Sequence, residues 1–151
     1  MVNSQITLHG SKCLVLGFGR CGKVLANMLK GIGAKLSVEA RSQADLAYIE
    51  SYGYRPVALG ELYECIDQYD FIFNTIPTMV LDEMKLRNMQ QDCIIIELAS
   101  KPGGVDFCVA KRLGIKVIDA QSLPGKVAPK TAAKIIFDTI LNAYKDMGVR
   151  L

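Results

Sequence analysis

Short apolar runs alternate with amphipathic segments along most of this chain. The apolar runs are bounded by turn residues and several are rich in Val and Ile, which is typical of buried parallel strands. The predicted strands are Cys13–Leu16, Leu36–Ala40, Pro56–Leu59, Phe71–Ile76, Cys93–Leu98 and Lys116–Ala120. The segments between them space their apolar residues as helices do. The predicted helices are Arg20–Gly31, Gln43–Tyr52, Gly60–Tyr69, Leu81–Met89, Val105–Leu113 and Thr131–Met147.

The first predicted helix has apolar residues at helical spacing, and these predict the face that packs on the sheet. They are Val24, Leu25, Met28, Leu29 and Ile32. Gly33, Gly53 and Gly114 each stand between a predicted helix and the next strand, where a left-handed cap is favoured. Prolines instead follow predicted strands, where the chain leaves the sheet.

Strand and helix in repeated alternation imply right-handed crossovers between parallel strands. The predicted fold class is therefore α/β, a doubly wound parallel six-stranded sheet of the Rossmann type in the order 3-2-1-4-5-6. We predict a single domain over residues 11–151, with residues 1–10 as a residual interdomain connection.

The composition excludes several classes of protein. The chain has 151 residues, of which 50% are hydrophobic and 22% are charged, and its net charge of +3 is too small to indicate nucleic-acid binding. No apolar run approaches the roughly 20 residues of a membrane span. The N-terminal residues lack the basic and apolar regions of a signal peptide.

The cysteine and histidine content argues against a disulfide framework or a metal site. The five cysteines include no C-x-x-C pair, and they predict reduced thiols in a cytoplasmic protein. His9 is the single histidine. It precedes the first predicted strand, so we expect a linker residue at the wrong edge of the sheet for catalysis.

A glycine-rich loop joins the first predicted strand to the first helix. Gly17 would allow a tight turn, Gly19 would let the backbone approach a pyrophosphate, and Gly22 would let the helix pack closely on its strand. Arg20 and Cys21 lie between them at the helix N-terminus, where free N–H groups favour phosphate. The strand and helix around this loop are the context that the motif requires, so it predicts a dinucleotide site.

The end of the second predicted strand bears on cofactor choice. NAD-binding domains usually carry an acid there, whereas this chain has Ala40 followed by Arg41 and Ser42. Arginine matches a 2′-phosphate in charge and geometry, so the residues favour NADP over NAD. We expect strand alternation to turn Glu39 away from the Ala40 side. A shift of one residue would make Glu39 the acid of an NAD site.

Polar loops follow the later predicted strands at the carboxyl edge, where ligands bind in open α/β sheets. The fourth strand ends in residues that we expect to contact the nicotinamide riboside: Asn74, Thr75, Ile76 and Pro77. Lys101 follows the fifth strand, and Lys126 and Lys130 follow the sixth. We predict that these lysines converge on the reactive end of the cofactor, where they suit an acidic substrate.

Several stretches together resemble a known family. They are LVLGFGRCGKVLANMLKGIGAKLSVEAR, FNTIP, ELASKPGGVDF and LPGKVAPKTAAKII. From about His9 to the C-terminus the chain is similar to the nucleotide-binding domain found in the A subunits of the dipicolinate synthase family. Glu39 departs from the small residue expected before Ala40 and Arg41.

The resemblance implies an oxidoreductase of sporulating bacteria. Its reaction would be the NADP-linked conversion of a dihydrodipicolinate-type precursor to pyridine-2,6-dicarboxylate, and its partner would be the flavoprotein-like B subunit of dipicolinate synthase. A dicarboxylate agrees with the lysines at the carboxyl edge. Members of the family have a further domain before this one, so the resemblance also implies an isolated cofactor domain that is inactive alone.

Two other interpretations stay open. A hydroxy-acid or shikimate-type dehydrogenase domain would have similar loops after its fourth strand. A dinucleotide-sensing module would bind the cofactor without chemistry. The sequence leaves open whether copies of the chain form a homo-oligomer.

Overall fold

The six predicted strands form one parallel sheet. A computed structural model describes residues 7–122 together with Lys130, Ala133 and Lys134. The strands are β1 (Lys12–Leu16), β2 (Lys35–Ala40), β3 (Arg55–Ala58), β4 (Phe71–Asn74), β5 (Ile94–Glu97) and β6 (Lys116–Asp119). Their order is β3-β2-β1-β4-β5-β6, and every neighbouring pair is parallel. The predicted fold class and strand order are confirmed.

Helices connect successive strands, as the amphipathic segments predict. They are α1 (Arg20–Gly31), α2 (Gln43–Ser51), α3 (Leu62–Cys65), α4 (Glu83–Asn88) and α5 (Phe107–Leu113). The prediction of one continuous helix over Gly60–Tyr69 is wrong. The segment forms the short helix α3 with a 3₁₀ turn on each side. Its buried face is nevertheless helical in spacing, since Leu62, Cys65, Ile66 and Tyr69 are all buried.

Alternate residues of the strands supply two apolar clusters, one on each face of the sheet. Leu14 and Leu16 of β1 lie in one cluster, whereas Cys13 and Val15 lie in the other. Because both faces of the sheet are covered, β1, β4 and β5 are nearly continuous apolar runs. In contrast, β2 carries the buried polar residues Ser37 and Glu39 between its apolar residues.

The face of α1 that packs on the sheet agrees with the prediction at Leu25 and Leu29 but not at Val24, Met28 and Ile32. Gly22, Ala26 and Leu29 are buried, whereas Val24 is 62% exposed and Met28 is 64% exposed. Small residues at Gly22 and Ala26 let the helix backbone lie close to the strands, whereas Val24 and Met28 remain on the outer side.

The chain divides into two compact units. The sheet lies within the first unit, Met1–Gln121, and the second unit is Ser122–Leu151. Before β1, the Gly10 N–H donates to the Gly33 carbonyl, and His9 Nδ1 lies 3.1 Å from the Ile32 carbonyl. His9 is therefore at the amino edge of the sheet, as predicted. In the part of the chain that the structure describes, no helix is long and apolar enough to cross a membrane.

Candidate functional site

A cleft opens at the carboxyl edge of the sheet, where β1 stands between β2 and β4. Its volume is about 490 Å³. The residues that line it come from the glycine loop, the end of β2, the start of α2 and the link after β4: Gly17, Phe18, Gly19, Glu39, Ala40, Arg41, Asp45, Thr75, Ile76, Pro77 and Thr78. The strand order reverses here, which is where ligands bind in doubly wound folds.

The three glycines of the loop have different surroundings. Gly17 has a φ of +93°, and a Cβ there would lie 2.7 Å from Thr75 Oγ1. A Cβ on Gly22 would lie 2.0 Å from the Gly17 carbonyl oxygen. The fold therefore requires glycine at both positions. A Cβ on Gly19 would have no atom within 4 Å, and its φ of −75° suits any residue.

Gly19 is also the N-cap of α1, and no side chain caps this helix. The first N–H groups of an α-helix have no partner within the helix and carry partial positive charge. Arg20 and Cys21, which begin α1, are exposed beside them. Open space above Gly19 and uncapped N–H groups form an arrangement that can hold an anion such as a pyrophosphate.

Glu39 lies on the opposite face of the sheet from Ala40, as strand alternation predicts, but it lines the cleft all the same. It pairs in register with Leu16, the last residue of β1. Its side chain therefore reaches Gly17, the residue after Leu16, and Glu39 Oε2 accepts a hydrogen bond of 3.1 Å from the Gly17 N–H. Glu39 is completely buried, and burial raises the pKa of its carboxyl, against lowering by the Gly17 N–H and Arg41.

The residues after β2 lie where the sequence places them. Ala40 ends the strand, and Arg41 is exposed at the mouth of the cleft. Ser42 is the N-cap of α2, because its Oγ accepts from the Asp45 N–H at 3.0 Å. The same hydroxyl donates to Asp45 Oδ2 at 2.7 Å. Asp45 lines the cleft and was not predicted, although a Ser followed three residues later by an acid is a recognisable capping pattern.

Thr75, Ile76 and Pro77 line the cleft, as predicted for the link after β4. The Thr75 hydroxyl donates a hydrogen bond of 2.8 Å to the Leu16 carbonyl, and its N–H donates to the same oxygen at 3.0 Å. Thr75 therefore holds the end of β1 against the end of β4, directly below the glycine loop.

Asn74 has a different environment from the one predicted. It is completely buried, and its Nδ2 donates to both carboxyl oxygens of Glu97, at 2.9 and 3.0 Å. Its Oδ1 accepts from the Ile76 N–H at 3.0 Å. With these contacts in place, the Asn74 amide faces its own loop and β5 rather than the cleft.

Glu97 was missed by sequence reasoning because it looks like one polar residue in an apolar strand. It is fully buried at the end of β5, where its oxygens also accept from the N–H groups of Ala99 and Gly104, at 2.9 and 3.0 Å. A Cβ on Gly104 would lie 2.5 Å from Asn74 Nδ2. Glu97 and Asn74 thus tie together the loops that follow β4 and β5.

The structure describes two of the three predicted lysines, Lys101 and Lys130. Lys101 is exposed on the loop after β5, at the carboxyl edge. Lys126 lies outside the described residues. Lys130 is helical and exposed in the second unit. Their convergence stays a prediction.

The parallel sheet, the glycine loop and the cleft at the switch in strand order define a dinucleotide-binding domain of the Rossmann class. Residues 2–102 match the family described as D-isomer specific 2-hydroxyacid dehydrogenase, NAD binding domain. The chain belongs to this family.

Relatives that match nearly the whole chain agree with the family resemblance seen in the sequence. The chain is 43% identical over 138 residues to the A subunit of dipicolinate synthase from Bacillus subtilis (strain 168), and the match covers 91% of this chain and 46% of the relative. The crystal structure of the A chain of dipicolinate synthase from Bacillus subtilis has a TM-score of 0.91 at 40% identity, covering 97% of this chain and 49% of that one.

A second structure, that of the dipicolinate synthase A subunit from Bacillus halodurans, has a TM-score of 0.89 at 38% identity and covers 93% of this chain and 48% of that one. The chain therefore spans about half the length of the relatives it matches.

Proposed function

We propose that this domain binds NADP in the cleft and is the cofactor half of an oxidoreductase similar to the A subunit of dipicolinate synthase. The observation that carries the proposal is Gly19. Gly17 and Gly22 are explained by contacts within the fold, whereas Gly19 has open space above it and no strained backbone angle. The fold does not require glycine at position 19. A ligand that lies against the backbone there would require it.

We expect a nicotinamide dinucleotide to lie along the cleft. The N–H groups at the start of α1 would hold the pyrophosphate over Gly19, with the adenosine ribose beside Ala40 and Arg41. The nicotinamide end would lie beside Thr75, Ile76 and Pro77. The bound cofactor would supply a hydride acceptor, and the chain's own residues position it.

The preference for NADP rests on the end of β2. Ala40 occupies the last position of the strand, so no acid stands there, and the exposed Arg41 guanidinium follows it. A guanidinium pairs well with a 2′-phosphate. Ser42 and Asp45 hydrogen-bond to each other at the N-cap of α2. Among the described residues that line the cleft, the cation is Arg41.

The proposed substrate is a dihydrodipicolinate-type precursor, and the product is pyridine-2,6-dicarboxylate. The names of the similar proteins support this substrate class. Aromatising such a ring removes a hydride and a proton. Lys101, with Lys126 and Lys130 from the following segment, would attract the two carboxylates. His9 is excluded as the proton acceptor by its place at the amino edge of the sheet.

A further domain and a second type of chain complete this proposal. The relatives are about twice as long as this chain, and their names describe one subunit of a synthase. We therefore propose that an additional domain closes over the carboxyl edge. We also propose that a flavoprotein-like B subunit joins it in the cytoplasm of sporulating bacteria.

A 2-hydroxyacid dehydrogenase is the second candidate, because the family match itself names that activity. It shares the cleft and the cofactor but oxidises a hydroxyl-bearing carbon. Turnover of a 2-hydroxy acid, and none of a dihydropyridine dicarboxylate, by the full-length protein would favour it.

Calorimetric titration with NADPH and NADH tests the binding site. Gly19→Ala places a methyl group where the pyrophosphate approaches, so we expect affinity for both cofactors to fall by about tenfold or more with the domain still folded. Gly31→Ala is the matched control, because a Cβ there also has no atom within 4 Å but lies at the far end of α1. Undiminished binding by the Gly19 variant would make the loop only a turn.

A further inference from the structure

One carboxyl oxygen in the cleft has no partner among the described residues. Glu39 Oε2 accepts from the Gly17 N–H, but Oε1 is buried and has no hydrogen-bond partner there. Buried polar atoms are nearly always satisfied, so an unpaired one in a ligand cleft needs an explanation. A proton on this buried carboxyl group would remove its negative charge.

The groups around Glu39 leave its charge weakly compensated. Leu16 of β1 and Val57 of β3 are its uncharged neighbours across the sheet. Arg41 lies on the same strand end and Asp45 comes from α2, and these are the other charged side chains that line the described cleft. Arg20, at the start of α1, is exposed and is not among the lining residues.

We propose that Glu39 is a proton-dependent determinant of cofactor choice in this cleft. The inference rests on the proposed function, because it requires that a nicotinamide dinucleotide binds beside Ala40. A protonated Glu39 carries no charge and does not repel a 2′-phosphate. An ionised Glu39 repels a 2′-phosphate, whereas the uncharged ribose 2′-hydroxyl of NAD escapes this repulsion.

The two protonation states therefore favour different cofactors. Burial raises the pKa of Glu39, which extends the neutral state above the pH range of an ordinary glutamate. NADP is favoured while the carboxyl is protonated, and the preference shifts toward NAD as rising pH ionises it. Arg41 attracts the 2′-phosphate in both states, since arginine stays charged throughout.

Calorimetric titration with NADP⁺ and NAD⁺ tests the proposal, from about pH 5.5 to about pH 8.5 at constant ionic strength. We expect the ratio of the dissociation constants, NAD⁺ over NADP⁺, to fall by about tenfold with rising pH relative to Glu39→Gln. In that variant the ratio depends on pH only through the 2′-phosphate. Ionisation of this phosphate near pH 6 strengthens NADP⁺ binding, so it raises the ratio with rising pH.

Glu50→Gln is the matched control, because Glu50 is an exposed acid of α2 outside the cleft. It should reproduce the pH course of the unmodified chain. The same pH course in the unmodified chain and in Glu39→Gln would overturn the inference while leaving dinucleotide binding intact. Failure of both cofactors to bind the unmodified chain at any pH would instead overturn the proposed function, and the inference with it.

A measurement on the unmodified chain keeps the test independent of how the Gln variant folds. Near pH 8 the free 2′-phosphate is already ionised and releases no proton on binding, so proton uptake reports the approach of the phosphate to an ionised acid such as Glu39. Titration in buffers of different ionisation enthalpy should show that NADP⁺ binding takes up more protons than NAD⁺ binding. Equal uptake would overturn the inference.

Discussion

Arg41 is the residue in the described cleft whose charge favours a 2′-phosphate, and its removal should separate the two cofactors. We expect Arg41→Ala to weaken NADPH binding by about 1.5–3 kcal/mol, the range for a charge-assisted hydrogen bond, and to leave NADH affinity nearly unchanged. Titration calorimetry measures both. Arg55→Ala is the control, because Arg55 begins β3 and donates to Gln68. Equal affinities for NADPH and NADH before mutation would contradict this role of Arg41.

Glu39 should also make folding stability depend on pH. Its carboxyl has a reference pKa of 4.5, which burial raises in the folded state. Just above pH 4.5 the Glu39 carboxyl is therefore more protonated in the folded chain than in the unfolded chain, and its contribution to the free energy of unfolding falls as pH rises. This loss is complete once the pH has passed the folded-state pKa.

Urea unfolding at several pH values measures this effect. Glu39→Gln should remove the decline, while the exposed Glu50→Gln should keep it. A decline of the same size in Glu39→Gln would assign the pH dependence to another group.

At the scale of elements, the ends of β4 and β5 are joined by a buried carboxyl rather than by apolar packing alone. Both oxygens of Glu97 accept from N–H donors, so Glu97→Gln would place an amide NH₂ against another donor. We expect a loss of about 3 kcal/mol in the free energy of unfolding, measured in urea. Glu64→Gln on the exposed side of α3 should change it by less than about 0.5 kcal/mol. An unchanged midpoint for Glu97→Gln would contradict this role.

The elements themselves were largely predictable from the sequence. Strand ends are marked locally by glycine, proline and polar residues, and every predicted strand is present with its ends within two residues. The packed face of α1 was not predictable in the same way, because Val24 and Met28 satisfy the helical period as well as Gly22 and Ala26 do. Only the close approach of Gly22 to Gly17 shows which side meets the sheet.

At the scale of the whole molecule, we expect the chain to bind the cofactor and to leave a dihydropyridine dicarboxylate unoxidised. Hydride transfer needs the substrate held within roughly 3–3.5 Å of the acceptor carbon, and a facing domain usually supplies that enclosure. This chain spans about half of its relatives. Absorbance of NADPH measures turnover.

Addition of the further domain and the B subunit of the proposed enzyme should produce turnover, and Lys126→Ala or Lys130→Ala should then lower it. Lys111→Ala, on α5, is a control lysine. Robust oxidation by these 151 residues alone would contradict the proposal of a cofactor half.

The sequence by itself determined the alternation of strands and helices, the glycine loop and the residues that follow β2, because these depend on local period and on neighbours along the chain. The strand order followed from the rule for doubly wound sheets. Tertiary structure decided the roles of Glu39 and Asn74. Glu39 contacts Gly17 across 22 positions, and Asn74 contacts Glu97 across 23. Such contacts exist only once parallel strands pair in register, which brings the ends of separate strands to one edge and lets a buried carboxyl meet N–H groups remote in the sequence.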